Sequence, residues 1–90
     1  TQVDIIKIFL YTLYSRFNEK KEDLTKEISM AKNFACLVSD KVTYDAVQIF
    51  GGYGFMRGYA VERLYRDNRI LSIGGGTTEI MKEIISKLIL

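Results

Sequence analysis

Two glycine clusters divide this 90-residue sequence into stretches that otherwise follow a helical pattern. The first cluster is Gly51-Gly52-Tyr53-Gly54, and the second is Gly74-Gly75-Gly76. Because glycine terminates helices and permits positive φ, each cluster predicts the end of one helix and a turn before the next. No stretch shows the alternation of a half-buried strand. The sequence therefore predicts an all-α fold.

The spacing of apolar residues predicts four helices. The first runs from about Gln2 to Phe17, and the second from Leu24 or Thr25 to near Phe50. The third spans Ala60 to Ile70 after a loop, and the last follows Thr77, a good N-cap residue. The charged link from Asn18 to Asp23 has a length usual between antiparallel helices. The expected architecture is an antiparallel helical bundle.

The predicted first helix is apolar on more than one face. One stripe at helical spacing is expected to be buried, and it consists of Ile6, Leu10, Leu13 and Phe17. A second apolar set lies on other faces and consists of Ile5, Ile8, Phe9 and Tyr11. Such a helix must be covered on several sides, and so short a chain provides little cover. We therefore expect residues 1–90 to form a single, incomplete domain of a larger protein.

Composition excludes several kinds of function. The formal net charge is +2 with both signs intermixed, which gives no basic stripe for nucleic acid. The absence of histidine and the single cysteine, Cys36, exclude a structural zinc site and remove the commonest general base. No run approaches the roughly 20 apolar residues of a membrane span. Since a lone cysteine forms no internal disulfide, an intracellular setting is favoured.

On the residues alone, the glycine clusters allow two interpretations. In the first interpretation, the glycines only end one helix and form the turn before the next, which is common in helical proteins. In the second, they permit backbone amides at a helix N-terminus to cradle an anion such as phosphate. Both interpretations stay open from the spacing alone.

Three segments, taken in order, resemble the acyl-CoA dehydrogenase family. Asp45–Phe55 is similar to the family's Gln-x-x-Gly-Gly-x-Gly segment, and Val61–Arg69 is similar to the helix that follows it. Gly75–Ile80 resembles the family's terminal Glu-Gly-Thr-Ser-Glu-Ile motif. The resemblance covers roughly Ala31 to Leu90, and the preceding residues match only as a helix of the same bundle.

The resemblance implies an FAD cofactor and assigns contacts position by position. It implies that the first segment reaches the adenosine diphosphate part of FAD held by a neighbouring subunit, through Gln48, Ile49, Phe50, Gly51 and Gly52. It implies further contacts with FAD from Thr77, Thr78 and Glu79. It places Gly76 against the acyl thioester end of the substrate.

One departure from the family pattern concerns the catalytic base. Many members have a glutamate where this chain has Gly75, and glycine cannot accept a proton. In long-chain and isovaleryl-type members this position is also small, and the base is a glutamate on an earlier helix. The resemblance therefore implies that the base lies upstream of Thr1, and that the chain alone is inactive.

For the whole protein the resemblance implies dehydrogenation of an acyl-CoA thioester in fatty acid metabolism. It implies a homo-oligomer, with a tetramer as the usual form, and electron-transferring flavoprotein as the electron acceptor. The expected compartment is the bacterial cytoplasm or the mitochondrial matrix. Two alternatives stay open: a helical interaction module without a catalytic parent, and a relative of the same fold such as an acyl-CoA oxidase.

Overall fold

The computed structural model describes residues 1–20 and 22–90, which form helices joined by short turns. There are five α-helices and one 3₁₀ turn among these residues, in the order α1 Gln2–Lys20, α2 Thr25–Phe50, α3 Gly52–Phe55, α4 Ala60–Asn68, the 3₁₀ turn Arg69–Ser72, and α5 Thr78–Ile89. No strand occurs in the described part, and the predicted all-α class is confirmed.

The long helix α2 is the centre of the fold, because α1, α3, α4 and α5 all pack against it. Near its N-terminus, Leu13 of α1 is buried with Leu24 and Ala31, and Phe9 packs against this cluster. Farther along, Val38 is buried on α2, and Met81 is buried on α5. The small side chain of Ala31 leaves room for a neighbouring helix to approach closely.

A polar network fixes α4 on α2. Asn68, at the end of α4, is buried and donates from Nδ2 to the Asp40 carboxylate at 2.6 Å. Its side-chain oxygen accepts a hydrogen bond from the Ser39 hydroxyl. Because buried amides need partners, this network specifies how α4 lies on the central helix.

The predicted link between α1 and α2 is partly wrong. Helix α1 continues to Lys20, because Glu and Lys are good helix formers and nothing stops the helix at Phe17. Lys21, which belongs to the predicted link, lies outside the described residues. At the other end of the link, Glu22 accepts from the guanidinium of Arg16 at 2.6 Å, which ties the connection to α1.

Two further helix boundaries differ from those predicted. A loop is expected from Gly51 through Gly58, but the structure has the short helix α3 within it. The helix can form because Gly51 has a positive φ whereas Gly52 and Gly54 do not. The helix expected to reach Ile70 ends as an α-helix at Asn68 and tightens into the 3₁₀ turn. The bounds of α2 and the N-cap role of Thr77 are confirmed, with Thr77 Oγ1 accepting from the Ile80 amide at 3.2 Å.

The predicted apolar stripe of α1 is only partly buried. Leu13 is buried, but Leu10 and Phe17 are 47% and 56% exposed, because α2 covers α1 along a single line of contact. The accessible surface is 6942 Å², against about 5400 Å² for a compact protein of this mass. The radius of gyration is 15.8 Å, against about 12 Å. The domain is therefore open, with much apolar surface uncovered.

None of the helices in the described part combines the length and the apolar character that crossing a bilayer needs.

Candidate functional site

The first glycine cluster forms a turn at the C-terminus of α2. Gly51 has φ 61° and donates its backbone N–H to the Gln48 carbonyl oxygen at 3.1 Å. Its own carbonyl accepts from the Gly54 amide at 2.9 Å, at the start of α3. The turn therefore reverses the chain tightly and leaves the end of α2 accessible.

The glycines of this turn serve different purposes. A Cβ on Gly54 would lie 2.6 Å from the Val47 carbonyl oxygen, so internal packing requires glycine there. A Cβ on Gly52 would meet no atom within 4 Å, and its φ is not positive. Among the described residues, no packing contact beyond its immediate neighbours requires glycine at position 52. Its open backbone matches the close approach of an external ligand.

The predicted residues of this segment are all exposed at the C-terminal end of α2. Gln48, Ile49 and Phe50 are all exposed in the last turn of α2, next to Gly51 and Gly52. Ile49 is 83% exposed and offers apolar contact area at the end of the helix. The arrangement offers a side-chain amide, free backbone space and apolar contact area. These groups suit the ribose, phosphate and base portions of a dinucleotide.

The second glycine cluster leads into α5. Gly75 and Gly76 have φ of 68° and 109°, and Thr77 follows as the N-cap. A Cβ on Gly76 would collide with the end of the Met81 side chain, whereas a Cβ on Gly75 would meet nothing within 4 Å. The backbone angle is what requires glycine at position 76, because the Met81 side chain is flexible and its end could move aside. Gly75 is constrained by its backbone angle alone and provides no proton acceptor.

Two residues of α2 hold this second turn. The Lys32 ammonium donates to the Gly76 carbonyl oxygen, and Asn33 Nδ2 donates to the Thr78 carbonyl oxygen at 3.2 Å. Sequence reasoning did not identify either residue, because their partners lie 44 and 45 positions later.

The structure does not bring the two predicted contact segments together. Gln48 lies at the end of α2, whereas Thr77 and Thr78 lie beside Asn33, 15 positions earlier on that helix. At 1.5 Å per residue, the separation along the helix is about 22 Å. The chain therefore presents two distinct surfaces. Glu79 is exposed in the first turn of α5, where its negative charge complements the helix dipole.

The titratable groups with shifted pKa values lie outside both turns. Hydrogen bonds from Thr25 lower the pKa of Asp23 at the start of α2. A hydrogen bond to Glu62, together with its charge, raises the pKa of Arg66 on α4. Cys36 is half-buried and contacts the Leu71 carbonyl oxygen at 3.3 Å. These groups serve local structure.

Comparison with known proteins identifies the family. Residues 1–90 match the family described as acyl-CoA dehydrogenase, C-terminal domain. The chain belongs to this family, and the resemblance seen in its motifs is confirmed.

Individual relatives support the same assignment. The chain is 40% identical over its full length to the caffeyl-CoA reductase-Etf complex subunit CarC of Acetobacterium woodii, covering 24% of that protein. It is 55% identical over 65 residues, 72% of the chain, to an acyl-CoA dehydrogenase of Bacillus subtilis, covering 17% of it. The crystal structure of acyl-CoA dehydrogenase from Geobacillus kaustophilus superposes on the chain with a TM-score of 0.92 and a sequence identity of 31%. The superposition covers 99% of this chain and 23% of that structure. The chain thus spans about a quarter or less of the length of these relatives.

Proposed function

We propose that this domain contributes flavin- and substrate-contacting surfaces to a longer FAD-dependent enzyme that dehydrogenates acyl-CoA thioesters. The observation that carries the proposal is the open backbone of Gly52 in a chain that matches the acyl-CoA dehydrogenase C-terminal domain throughout. Packing within the domain does not require glycine at position 52, and the Gln48 amide and Ile49 beside it are exposed. This combination favours contact with a ligand over a glycine that serves only to end the helix.

The surface from Gln48 to Gly52 receives the adenosine diphosphate part of an FAD bound by a neighbouring subunit. The Gln48 amide both donates and accepts hydrogen bonds, which suits ribose hydroxyls. Gly51 and Gly52 admit a phosphate group close to the backbone. The distance of about 22 Å from the second turn, measured along α2, supports two separate contact regions.

The second turn lies at the flavin ring and the reacting end of the substrate. Thr77 caps α5, and Thr78 and Glu79 begin its first turn, where backbone N–H groups lack helical partners. Gly76 has no side chain, and Met81 packs behind it, so the substrate thioester can lie against its backbone. Bound FAD would supply the acceptor for the β-hydrogen as hydride.

Removal of the α-proton requires a carboxylate, and position 75 does not provide one. Gly75 occupies the position at which many family members have glutamate. Its φ of 68° would also strain a glutamate there by about 1–2 kcal/mol. The proposal therefore places the base on another part of the longer protein, and the 90-residue chain alone is inactive. Electron-transferring flavoprotein is the proposed electron acceptor, and the enzyme is a homo-oligomer whose subunits share each FAD.

A second candidate is the reverse reaction, the reduction of an α,β-unsaturated acyl-CoA. The observation that favours it is the relative from Acetobacterium woodii, which is named a reductase and matches the whole chain. The same surfaces would serve both directions, since hydride transfer between flavin and β-carbon is reversible. The direction depends on the electron partner.

The test uses the full-length protein that carries this domain, purified with bound flavin. Saturated acyl-CoA thioesters of increasing chain length are mixed with it anaerobically, and the absorption band of oxidised flavin is followed. Bleaching by one class of thioester supports dehydrogenation. In a parallel sample, chemically reduced protein is mixed with unsaturated thioesters, and the return of the band is followed. Because the step is reversible, the two rates are compared: faster bleaching supports dehydrogenation, and faster return of the band supports the reductase.

The same experiment separates the remaining alternatives. Rapid reoxidation by dioxygen after bleaching would identify an acyl-CoA oxidase. A protein that purifies without flavin and binds none would overturn the proposal and favour an interaction module. A bound flavin that responds to no thioester in either direction would contradict both proposed activities.

A further inference from the structure

We propose that Lys32 and Asn33 are positioning residues, which fix the direction of the peptide groups between Gly75 and Thr78 toward a bound acyl-CoA. The inference rests on the proposed function, because it concerns the turn assigned to the reacting end of the substrate. Neither residue belongs to the segments that resemble the family motifs for FAD or substrate. Their role follows from the contacts that they make across the fold.

The turn needs support from outside itself. Gly75 and Gly76 are consecutive residues with positive φ, and glycine has the largest conformational freedom to lose on ordering. Around Gly75 there is open space on the side where a Cβ would project. The two contacts from α2 lie on either side of Thr77, because Lys32 binds the carbonyl before it and Asn33 the carbonyl after it. Lys32 therefore holds the peptide that precedes Thr77, and Asn33 holds the first residue of α5, so that the turn and the start of the helix are both attached to α2.

The contact with Lys32 determines which way the next amide points. The peptide between Gly76 and Thr77 is trans, so its C=O and N–H point in opposite directions. Since the Gly76 carbonyl is directed at the Lys32 ammonium, the Thr77 N–H is directed away from it. A positively charged donor on the carbonyl also polarises the peptide, which makes its N–H a stronger donor.

Lys32 is itself held in place. It is half-buried and lines an apolar groove of about 420 Å³ between α1 and α2, beside Leu13 and Ala31. Its methylene stem lies along this apolar surface while the ammonium reaches the turn. Among the described residues, none of the five ion pairs includes Lys32. The Lys32 ammonium is therefore available to the Gly76 carbonyl oxygen without competition from an ion pair.

The test compares Lys32→Met with Lys41→Met in the full-length flavin-bound protein. Lys41 lies on the same helix but is exposed and pairs with Asp45. Backbone amide exchange, read by mass spectrometry, is expected to rise at least about tenfold in peptides covering Gly74 to Ile80 of Lys32→Met. Peptides covering Gln48 to Phe55 should keep their exchange rates, and Lys41→Met should match the unchanged protein. Lys32→Arg should restore much of the protection, because it retains a charged donor.

The kinetic arm measures the rate at which acyl-CoA bleaches the flavin band. We expect a fall of about 10- to 100-fold in Lys32→Met, with a much smaller change in the half-saturating concentration. Asn33→Ala should show a smaller loss, since its hydrogen bond is uncharged. Unchanged exchange in the turn, exchange raised equally throughout the domain, or an unchanged bleaching rate would each overturn the inference. If no thioester bleaches the unchanged protein, the proposed function fails, and the exchange data still decide whether Lys32 and Asn33 fix the turn.

Discussion

Gly54 packs against Val47 so closely that a methyl group on its Cα would lie 2.6 Å from the Val47 carbonyl oxygen. Gly52, two residues earlier, has no atom within 4 Å of the same position and no positive φ. One turn therefore contains a glycine that the fold requires and a glycine that it does not. Substitutions at these two glycines can therefore distinguish a structural role in the turn from a role in binding a ligand.

Alanine substitutions at the two positions should affect stability differently. Gly54→Ala should lower the free energy of unfolding by about 1–3 kcal/mol, because the methyl group forces the backbone apart. Gly52→Ala should leave it unchanged or raise it by up to about 1 kcal/mol, because alanine favours helix. Urea denaturation of each variant measures the difference. Equal losses at both positions would contradict the packing described for Gly54.

Flavin retention should show the opposite pattern at Gly52. In the full-length protein, Gly52→Ala should weaken FAD binding roughly tenfold, equivalent to about 1.4 kcal/mol, since a methyl group blocks approach to the backbone. The matched control is Met56→Ala, which truncates an exposed side chain just after the same turn. Flavin content after dialysis and the dissociation constant of the apoprotein measure the effect. FAD binding that is unchanged in Gly52→Ala would argue against a cofactor contact here.

The polar network between α2 and α4 should contribute measurably to stability. Asn68→Ala should cost about 1–3 kcal/mol, because it leaves the Ser39 hydroxyl and the Asp40 carboxylate without their partner in a half-buried site. The neighbouring Asp67→Ala changes an exposed residue and should stay within about 0.5 kcal/mol. Denaturant midpoints compare the two variants. A similar loss in both would indicate that helix propensity, and not the network, determines the effect.

The helices were predictable because their signals are local. The limits of α2 follow from periodicity and from the glycines that end it, and Thr77 was identified as an N-cap from residue type alone. The extension of α1 to Lys20 was missed because charged residues suit both a link and an exposed helix. Helix α3 was missed because glycines predict a loop, although Gly52 and Gly54 here keep helical geometry.

The candidate site was predictable only where it is contiguous in sequence. The motif resemblance identified the residues from Gln48 to Gly52, and all five are exposed at the end of α2. Their contacts with FAD stay a prediction. The support that Lys32 and Asn33 give to the second turn connects positions more than forty residues apart, which no local pattern encodes. The exposure of Leu10 and Phe17 also depends on which neighbours are present, and periodicity alone does not reveal that.

Asp23 should make the stability of the domain depend on pH in the acidic range. Hydrogen bonds from the Thr25 hydroxyl and amide lower its pKa in the folded state below the ordinary value of 3.8. The stabilisation is therefore fully present above that value and is lost as the pH falls through the folded pKa. Unfolding of the unchanged chain and of Asp23→Ala should be compared between about pH 6 and pH 2. A stability difference that grows toward low pH would contradict this assignment.

Self-association should be visible in the isolated 90-residue chain. Helix α1 exposes seven large apolar side chains on several faces, namely Val3, Ile5, Ile8, Leu10, Tyr11, Tyr14 and Phe17. Apolar surface of this extent is normally covered by another part of a protein or by another copy. Light scattering at high concentration should give a mass above the 10.4 kDa of one chain.

A charge on that surface should reduce the association. Ile8 is 67% exposed, and Ile8→Lys places an ammonium among these side chains without removing any buried contact. Gln2→Lys adds the same charge at the exposed start of α1, on a different face, and should leave the mass nearly unchanged. Equal effects of the two variants would attribute the change to net charge. A mass of one chain at every concentration would show that the uncovered surface of α1 does not drive association at all.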